Sequence, residues 1–268
     1  MLPLGSLSHF LKRQLNGILD LVSPRCCDIC GQVLSEHEHF FCVKCFMDLP
    51  RTGYHKAVHS FLETNYWAKI PVERATAFFF YDNDNRHVLF DAKYHAKPAA
   101  GEHLSRLMAQ EVSNESDFFC GIDVMVPIPL HPNRQKERGY NQCHYIARGI
   151  QRVTGIPICE DAVVRLIDND SQTTLLHAER EANVKDAFRC TRPERLRGKH
   201  ILLIDDVVTT GATTRSCAKA ILQALGEYDE HGLNLTAGIR FSILALATAT
   251  KNRMAMTADT PYRYDQIR

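Results

Sequence analysis

The sequence has no long hydrophobic run. Its best apolar stretch, Phe241 to Ala249, is nine residues long, against the ~20 that a membrane-spanning helix needs. It has no excess charge of either sign. The 32 Lys and Arg stand against 31 Asp and Glu, for a formal net charge of +1. A broad electrostatic surface for DNA or anionic lipid is therefore not implied, and any such contact has to be a local patch. The early residues lack a secretory pattern: Lys12, Arg13, Gln14, Asn16 and Asp20 interrupt the apolar positions, and no small-residue cleavage site follows. Neither G-x-x-x-x-G-K-[ST] nor G-x-G-x-x-G occurs, which argues against a Walker-type nucleotide triphosphatase and a dinucleotide-binding fold. There is no internal repeat and no low-complexity segment. With 268 residues, 45% hydrophobic and 24% charged, the chain is long and apolar enough for one large domain with a small appendage.

Cysteine is the residue present in unusual number, at ten. Five of them, Cys26, Cys27, Cys30, Cys42 and Cys45, fall within twenty residues, and Cys120, Cys143, Cys159, Cys190 and Cys217 are scattered singly. Scattered thiols in a chain of this size do not form the framework of a small secreted domain. A reduced, soluble, cytoplasmic protein without a membrane span is expected.

The cluster reads as Cys27-Asp-Ile-Cys30-Gly31 and Cys42-Val-Lys-Cys45. Two thiolates two residues apart grip one metal from a tight turn, and two such turns complete a tetrahedral site. Structural zinc is the expected ion and iron the alternative. Cys26 is a spare that can replace Cys27 as ligand. Four protein ligands leave no open position, so this module needs no catalytic role.

Elsewhere the pattern alternates. Residues 4 to 22 carry apolar positions at spacings of three and four and predict an amphipathic helix ended by Pro24. Strands are expected at Ala75 to Tyr81, Asp123 to Pro129, His200 to Ile204 and Phe241 to Ala247. Helices are expected at Ala99 to Val112, Asn141 to Val153 and Ala212 to Leu225. Strands separated by helices imply a parallel sheet flanked by helices.

The most informative segment is Ile201-Leu-Leu-Ile-Asp205-Asp206-Val-Val-Thr209-Thr210-Gly211-Ala212-Thr213. It predicts a buried strand, two acids at its carboxyl end, a Thr/Gly loop and a helix. Ligands of open α/β sheets sit at strand carboxyl ends, and a helix N-terminus directs free N–H groups at an anion. Thr209 to Thr213 would hold a phosphate. The paired carboxylates of Asp205 and Asp206 repel phosphate but accept hydrogen bonds from vicinal hydroxyls. A sugar phosphate such as ribose 5-phosphate satisfies both halves.

This segment resembles the 5-phosphoribosyl-1-pyrophosphate (PRPP) motif of type I phosphoribosyltransferases. Val126 to Gln142, containing Pro-Ile-Pro-Leu and Arg134-Gln-Lys136-Glu-Arg138-Gly-Tyr-Asn-Gln, is similar to a signature of ComF/GntX-like proteins. So are Gln172 to Phe188 and Asp91-Ala-Lys93-Tyr94. With the cysteine knuckles, the resemblance spans roughly residues 20 to 247. It implies a type I phosphoribosyltransferase-like sheet with an N-terminal zinc knuckle, binding PRPP with Mg2+. In it Asp205 and Asp206 hold the ribose and carry catalysis. Thr209, Thr210, Gly211, Ala212 and Thr213 hold the 5-phosphate. Arg134, Lys136 and Arg138, in a basic loop, contact pyrophosphate. Lys93, Arg180 and Asn183 belong to a lid or hood. The resemblance leaves the acceptor unnamed. It implies either phosphoribosyl transfer or PRPP sensing, linked to DNA uptake in natural transformation, with single-stranded DNA and a competence helicase as partners.

The expected organisation is an N-terminal helix at 1–25, a four-cysteine zinc module at 26–50, and a linker and hood-like region at 51–95. A phosphoribosyltransferase-like domain follows at 96–250, and then a polar tail at 251–268.

Overall fold

The computed structural model describes residues 24–57, 60–64, 66, 70–81, 98–168, 187–229, 232–233 and 238–249. The helix expected over 4–22, Lys93, Arg180, Asn183 and the tail 251–268 lie outside the described residues. All ten cysteines are described, and all are free thiols.

Four strands form one parallel sheet: β1 (Val72–Tyr81), β2 (Val124–Pro127), β5 (His200–Val208) and β8 (Arg240–Ala249), in the order β1-β8-β5-β2. The continuous apolar runs of β5 and β8 fit this position, because a strand covered on both faces has no polar side to alternate with. Ile201 and Leu203 of β5 join Val124, Val126, Ile243 and Ala245 on one face. Leu202 and Ile204 join Met125, Leu244 and Leu246 on the other.

Helices cover both faces. We label α1 (Val43–Met47), α2 (Phe61–Thr64), α3 (Pro98–Glu115), α4 (Pro132–Arg138), α5 (Gln142–Thr154) and α6 (Ala212–Leu225). The first face receives Cys217, Ala218, Ile221 and Leu222 of α6. The second receives Leu104, Met108 and Val112 of α3 and Ile146, Ala147 and Ile150 of α5. Two antiparallel ribbons and two 3-10 turns, Tyr54–Lys56 and Pro193–Arg195, complete the described secondary structure. One pairs β3 (Val163–Arg165) with β4 (Phe188–Cys190), and the other pairs β6 (Tyr228–Asp229) with β7 (Gly232–Leu233). Most of the Gln172–Phe188 segment, expected as a lid, lies outside the described residues.

Two strands run further than their apolar cores predict. β5 continues through Asp205 and Asp206 to Val208, because β8 pairs alongside it as far as Val208 with Thr248. The sheet also begins at Val72, inside the stretch expected to be linker and hood, because β1 pairs with β8 over nearly its whole length. The outer edge of β1 is itself covered. Thr52 N donates to Phe78 O at 3.0 Å and Phe80 N to Pro50 O at 2.8 Å, which removes an exposed template for further pairing.

Arg51 fastens the cysteine module to this edge. Its guanidinium donates to both carboxylate oxygens of Glu111 on α3 (3.3 and 3.2 Å) and to the carbonyls of Phe46 and Leu49. It also lies over the rings of Phe46 and Phe78, at 4.5 and 5.0 Å from their centroids. A bidentate pair that is partly desolvated and stacked on aromatics holds position better than an exposed ion pair.

Gly149 sets the spacing of α3 and α5. A Cβ there would lie 2.0 Å from Ser105 Oγ and 2.2 Å from the Glu102 carbonyl oxygen. Alanine improves helix propensity by about 1 kcal/mol, but overpacking against backbone costs ~1–3 kcal/mol. Gly149→Ala is therefore expected to destabilise the fold, read as a lower urea midpoint. An unchanged or higher midpoint would mean that the helices separate freely.

Candidate functional site

Cys27, Cys30, Cys42 and Cys45 bring their four sulfur atoms within 4.8 Å of one another. Cys30 and Cys42 are 3.8 Å apart, the edge of about 3.8 Å that a tetrahedron with metal–sulfur bonds of ~2.3 Å requires. Backbone amides fold over the sulfurs: Cys42 N donates to Cys27 Sγ at 3.3 Å and Cys45 N to Cys42 Sγ at 3.4 Å. Burial raises the Cys27 thiol, but the amides of Cys30, Cys42 and Ile29 outweigh it and bring the group down to about 7. A thiol so poised gives up its proton readily to a metal. The residues fit a tetrahedral ion. Cys26 is exposed, with its sulfur 3.5 Å from the Pro24 carbonyl, and lies outside the cluster, so Cys27 is the fourth member.

The acid pair sits inside β5, two strands from the β1 edge that carries the cysteine module. Asp205 is buried and Asp206 partly exposed. Asp205 Oδ1 accepts from the Asp206 amide at 2.9 Å, and Asp206 Oδ1 from the Val207 amide at 2.7 Å. Cys143, fully enclosed in the first turn of α5, places its sulfur 3.9 Å from Asp205 Oδ1. Burial, and then the neighbouring Asp206 carboxylate, push Asp205 well above the usual carboxylate range. Burial and the two acids likewise hold Cys143 as a neutral thiol.

The basic residues are not in a loop. Arg134, Lys136 and Arg138 lie on α4, a helix that the sequence hides because Pro132-Asn-Arg-Gln-Lys-Glu-Arg138 has no apolar side. Its ends explain it. Pro132 stands at the first position, His131 Nδ1 accepts from Asn133 N at 3.3 Å, and Gly139 at φ 81° closes it. Arg138 donates to Gln142 Oε1 at 2.7 Å, and Gln142 Nε2 donates to Asp206 Oδ2 at 2.9 Å. This relay joins one basic residue to the acid pair. Arg134 instead meets Asp168, 3.1 Å from Nε to Oδ1, and Lys136 is exposed.

Thr209 to Thr213 run from β5 into α6. Gly211 is the N-cap of α6 at φ 72°, in the left-handed region, and no side chain caps the first turn. The first amides of a 14-residue helix are therefore left to other partners. Three residues of the site had no signal in the motif. Gln142 is visible only as part of a signature. Arg215, in the first turn of α6, donates to the Thr210 carbonyl. Tyr66, wholly buried, places its hydroxyl 2.7 Å from Thr214 Oγ1. Where β2 ends and α5 begins, Pro127, Pro129, Tyr140, His144, Tyr145 and Glu160 line a cleft of about 310 Å³.

Two outcomes follow. Metal analysis of the purified chain is expected to find one tightly held ion per molecule, kept in Cys26→Ser and lost in Cys27→Ser; loss in Cys26→Ser would contradict the assignment. Because the folded chain raises Asp205, the stability that goes with its protonated form is present below the unfolded value of about 3.9. It is lost as pH rises through the folded value. Asp205→Asn stays neutral, so its urea midpoint is expected to overtake that of the parent progressively from pH 4 to pH 8. An advantage independent of pH would contradict a buried ionisation.

No family model matches the chain. It is similar to the DNA utilization protein YhgH of Escherichia coli (strain K12), with 26% identity over 199 residues, covering 74% of this chain and 78% of that protein. It is also similar to the competence protein ComFC of Bacillus subtilis (strain 168), with 36% identity over 100 residues, covering 37% of this chain and 38% of that protein. Among solved structures it is similar to the glutamine PRPP amidotransferase from B. subtilis complexed with ADP and GMP. That likeness has a TM-score of 0.32 at 19% identity and covers 55% of this chain, which spans about a quarter (26%) of that one. Beside this likeness to competence and DNA-utilisation proteins, the chain shows a parallel sheet flanked by helices and an N-terminal cysteine cluster.

Proposed function

We propose that the protein binds PRPP at the carboxyl end of β5 and transfers or senses its phosphoribosyl group, in a role linked to DNA uptake in the cytoplasm. One observation carries this reading. An acid pair with Asp205 buried, a helix start on Gly211 with no side-chain cap, and an Arg138–Gln142 arm converge at one end of a parallel sheet. The uncapped amides of α6, with the hydroxyls of Thr209, Thr210 and Thr213, suit the 5-phosphate. Asp205 and Asp206 suit the ribose diol as acceptors. Arg138 suits the pyrophosphate, with Arg134 and Lys136 on the same helix as further cations. In this reading Arg134 has to leave Asp168 to take part.

Transfer breaks the bond between C1 of the ribose and the pyrophosphate oxygen. The electron pair leaves with pyrophosphate, and a new bond forms from the acceptor to C1. Positive charge builds on the ribose during this exchange. The acid pair answers it. Burial and Asp206 shift Asp205 toward its protonated form in the free protein. The carboxylate of Asp206 and the carbonyl oxygen of the Asp205 carboxyl group present negative charge where the transition state needs it. Mg2+ arriving with PRPP supplies neutralisation of the leaving group, and the carboxylate oxygens are the donor type it prefers. We assign structural zinc to the four-cysteine site, where soft thiolates in a closed tetrahedron leave no catalytic position.

A second reading is favoured by the cleft beside α5. There the Tyr140 and Tyr145 rings meet edge to face at 5.5 Å, and Arg148 lies over Tyr145 at 5.6 Å. Aromatic faces with a nearby guanidinium suit stacked bases of single-stranded DNA. This role would be exercised beside a competence helicase, with PRPP as a signal rather than a substrate.

Calorimetry separates these readings. Mg2+-PRPP is expected to bind the parent chain and to lose at least tenfold in affinity, about 1.4 kcal/mol, in Asp206→Asn and in Arg138→Ala. Unaltered binding in both variants would remove the site. Pyrophosphate release over a panel of bases and amines then decides between transfer and sensing.

A further inference from the structure

We propose that Tyr66 is a positioning residue for the phosphate loop, and that Ser60, Leu62, Glu63, Tyr66 and Ile70 together act as a clamp that pre-shapes the loop. The inference rests on the assignment of Thr209–Thr213 to the 5-phosphate and extends it to a residue far away in the sequence.

The clamp is built from the chain outward. Ser60-Phe-Leu-Glu63 is a capping box. Glu63 N donates to Ser60 Oγ at 3.3 Å, and Ser60 N donates back to Glu63 Oε2 at 3.2 Å. The other Glu63 oxygen accepts from Ala75 N of β1 at 3.1 Å, and Ser60 Oγ donates to the Ala75 carbonyl. A buried carboxylate that accepts from two backbone amides costs less than an unpaired one and holds one geometry. The short helix α2 is thereby fixed to the sheet. Tyr66 follows directly, its amide donating to the Glu63 carbonyl at 2.9 Å, and Leu62, Tyr66 and Ile70 are all buried in the core beneath α6.

Tyr66 then acts on the loop in two ways. Its ring fills the space beside Gly211: a Cβ at that position would lie 2.8 Å from the ring's Cζ and hydroxyl oxygen. The left-handed φ of 72° already favours glycine there, so conformation and space agree on the same residue. The hydroxyl makes the second contact. Thr214 Oγ1 donates its proton to the Gly211 carbonyl at 3.0 Å. Tyr66 therefore donates to Thr214 Oγ1, at 2.7 Å. Burial keeps the phenol protonated, as a donor must be. The chain from Tyr66 to Thr214 to the Gly211 carbonyl pins the peptide at which the loop turns into α6. It orients the following amides before any anion arrives. Preorganisation of this kind lowers the cost of ordering on binding.

The test uses the full chain and two probes, ribose 5-phosphate and inorganic pyrophosphate, by calorimetry. Tyr66→Phe keeps the ring and removes the hydroxyl, and Thr214→Val removes the relay. Each is expected to weaken ribose 5-phosphate by about five- to tenfold, the worth of one such hydrogen bond, and to leave pyrophosphate unchanged. The double variant is expected to lose no more than either single one. Parent-like binding of ribose 5-phosphate in Tyr66→Phe would overturn the clamp and leave the phosphate site standing. Equal losses for both probes would mean general damage and would also overturn it. Failure of the parent chain to bind ribose 5-phosphate would overturn both the clamp and the site.

Discussion

Everything at the proposed site depends on where β5 places Asp205. A carboxyl group near the middle of a parallel sheet loses its hydration, and burial penalises its charge. The Asp206 carboxylate beside it penalises the charge again. The strand cannot end before the acids, because β8 pairs with it as far as Val208. The two acids are therefore held in extended backbone with alternating directions. Asp205 turns toward Cys143, and Asp206 toward Gln142. The chain carries this cost to stability at one place, as functional sites commonly do.

The surrounding elements follow from the parallel arrangement. β2 and β5 lie side by side in the same direction, so the helices that follow them, α5 and α6, begin at the same end of the sheet. Each helix start has its own device. Asn141 caps α5, accepting from Cys143 N and donating to the Ile128 carbonyl. α6 starts on a left-handed glycine with no side-chain cap. One helix is capped by its own side chain, and the other starts on a residue that has none. The cysteine module packs through Ile29, Phe41 and Phe46 on the face that carries α3 and α5.

Much of this was legible in the sequence. The apolar run of β5 and the Thr/Gly turn announced strand and helix together, and the paired Cys-x-x-Cys turns announced the gathering of four sulfur atoms. What escaped did so for physical reasons. α4 has no apolar periodicity, and only Pro132 and Gly139 mark its ends. The length of β5 depends on its partner β8, and strand pairing overrode the low strand preference of aspartate. Tyr66 meets Thr214 across 148 residues, so no local pattern could link them.

The central claim is that one bound PRPP spans the open helix start and the buried acid pair. A crystal structure of the chain soaked with Mg2+-PRPP tests it most directly. The account predicts the 5-phosphate on the amides and hydroxyls of Thr209 to Thr213, the ribose hydroxyls on Asp205 and Asp206, and the pyrophosphate toward Arg138. PRPP seated elsewhere, with the β5 carboxylates still bonded only to protein groups, would contradict it.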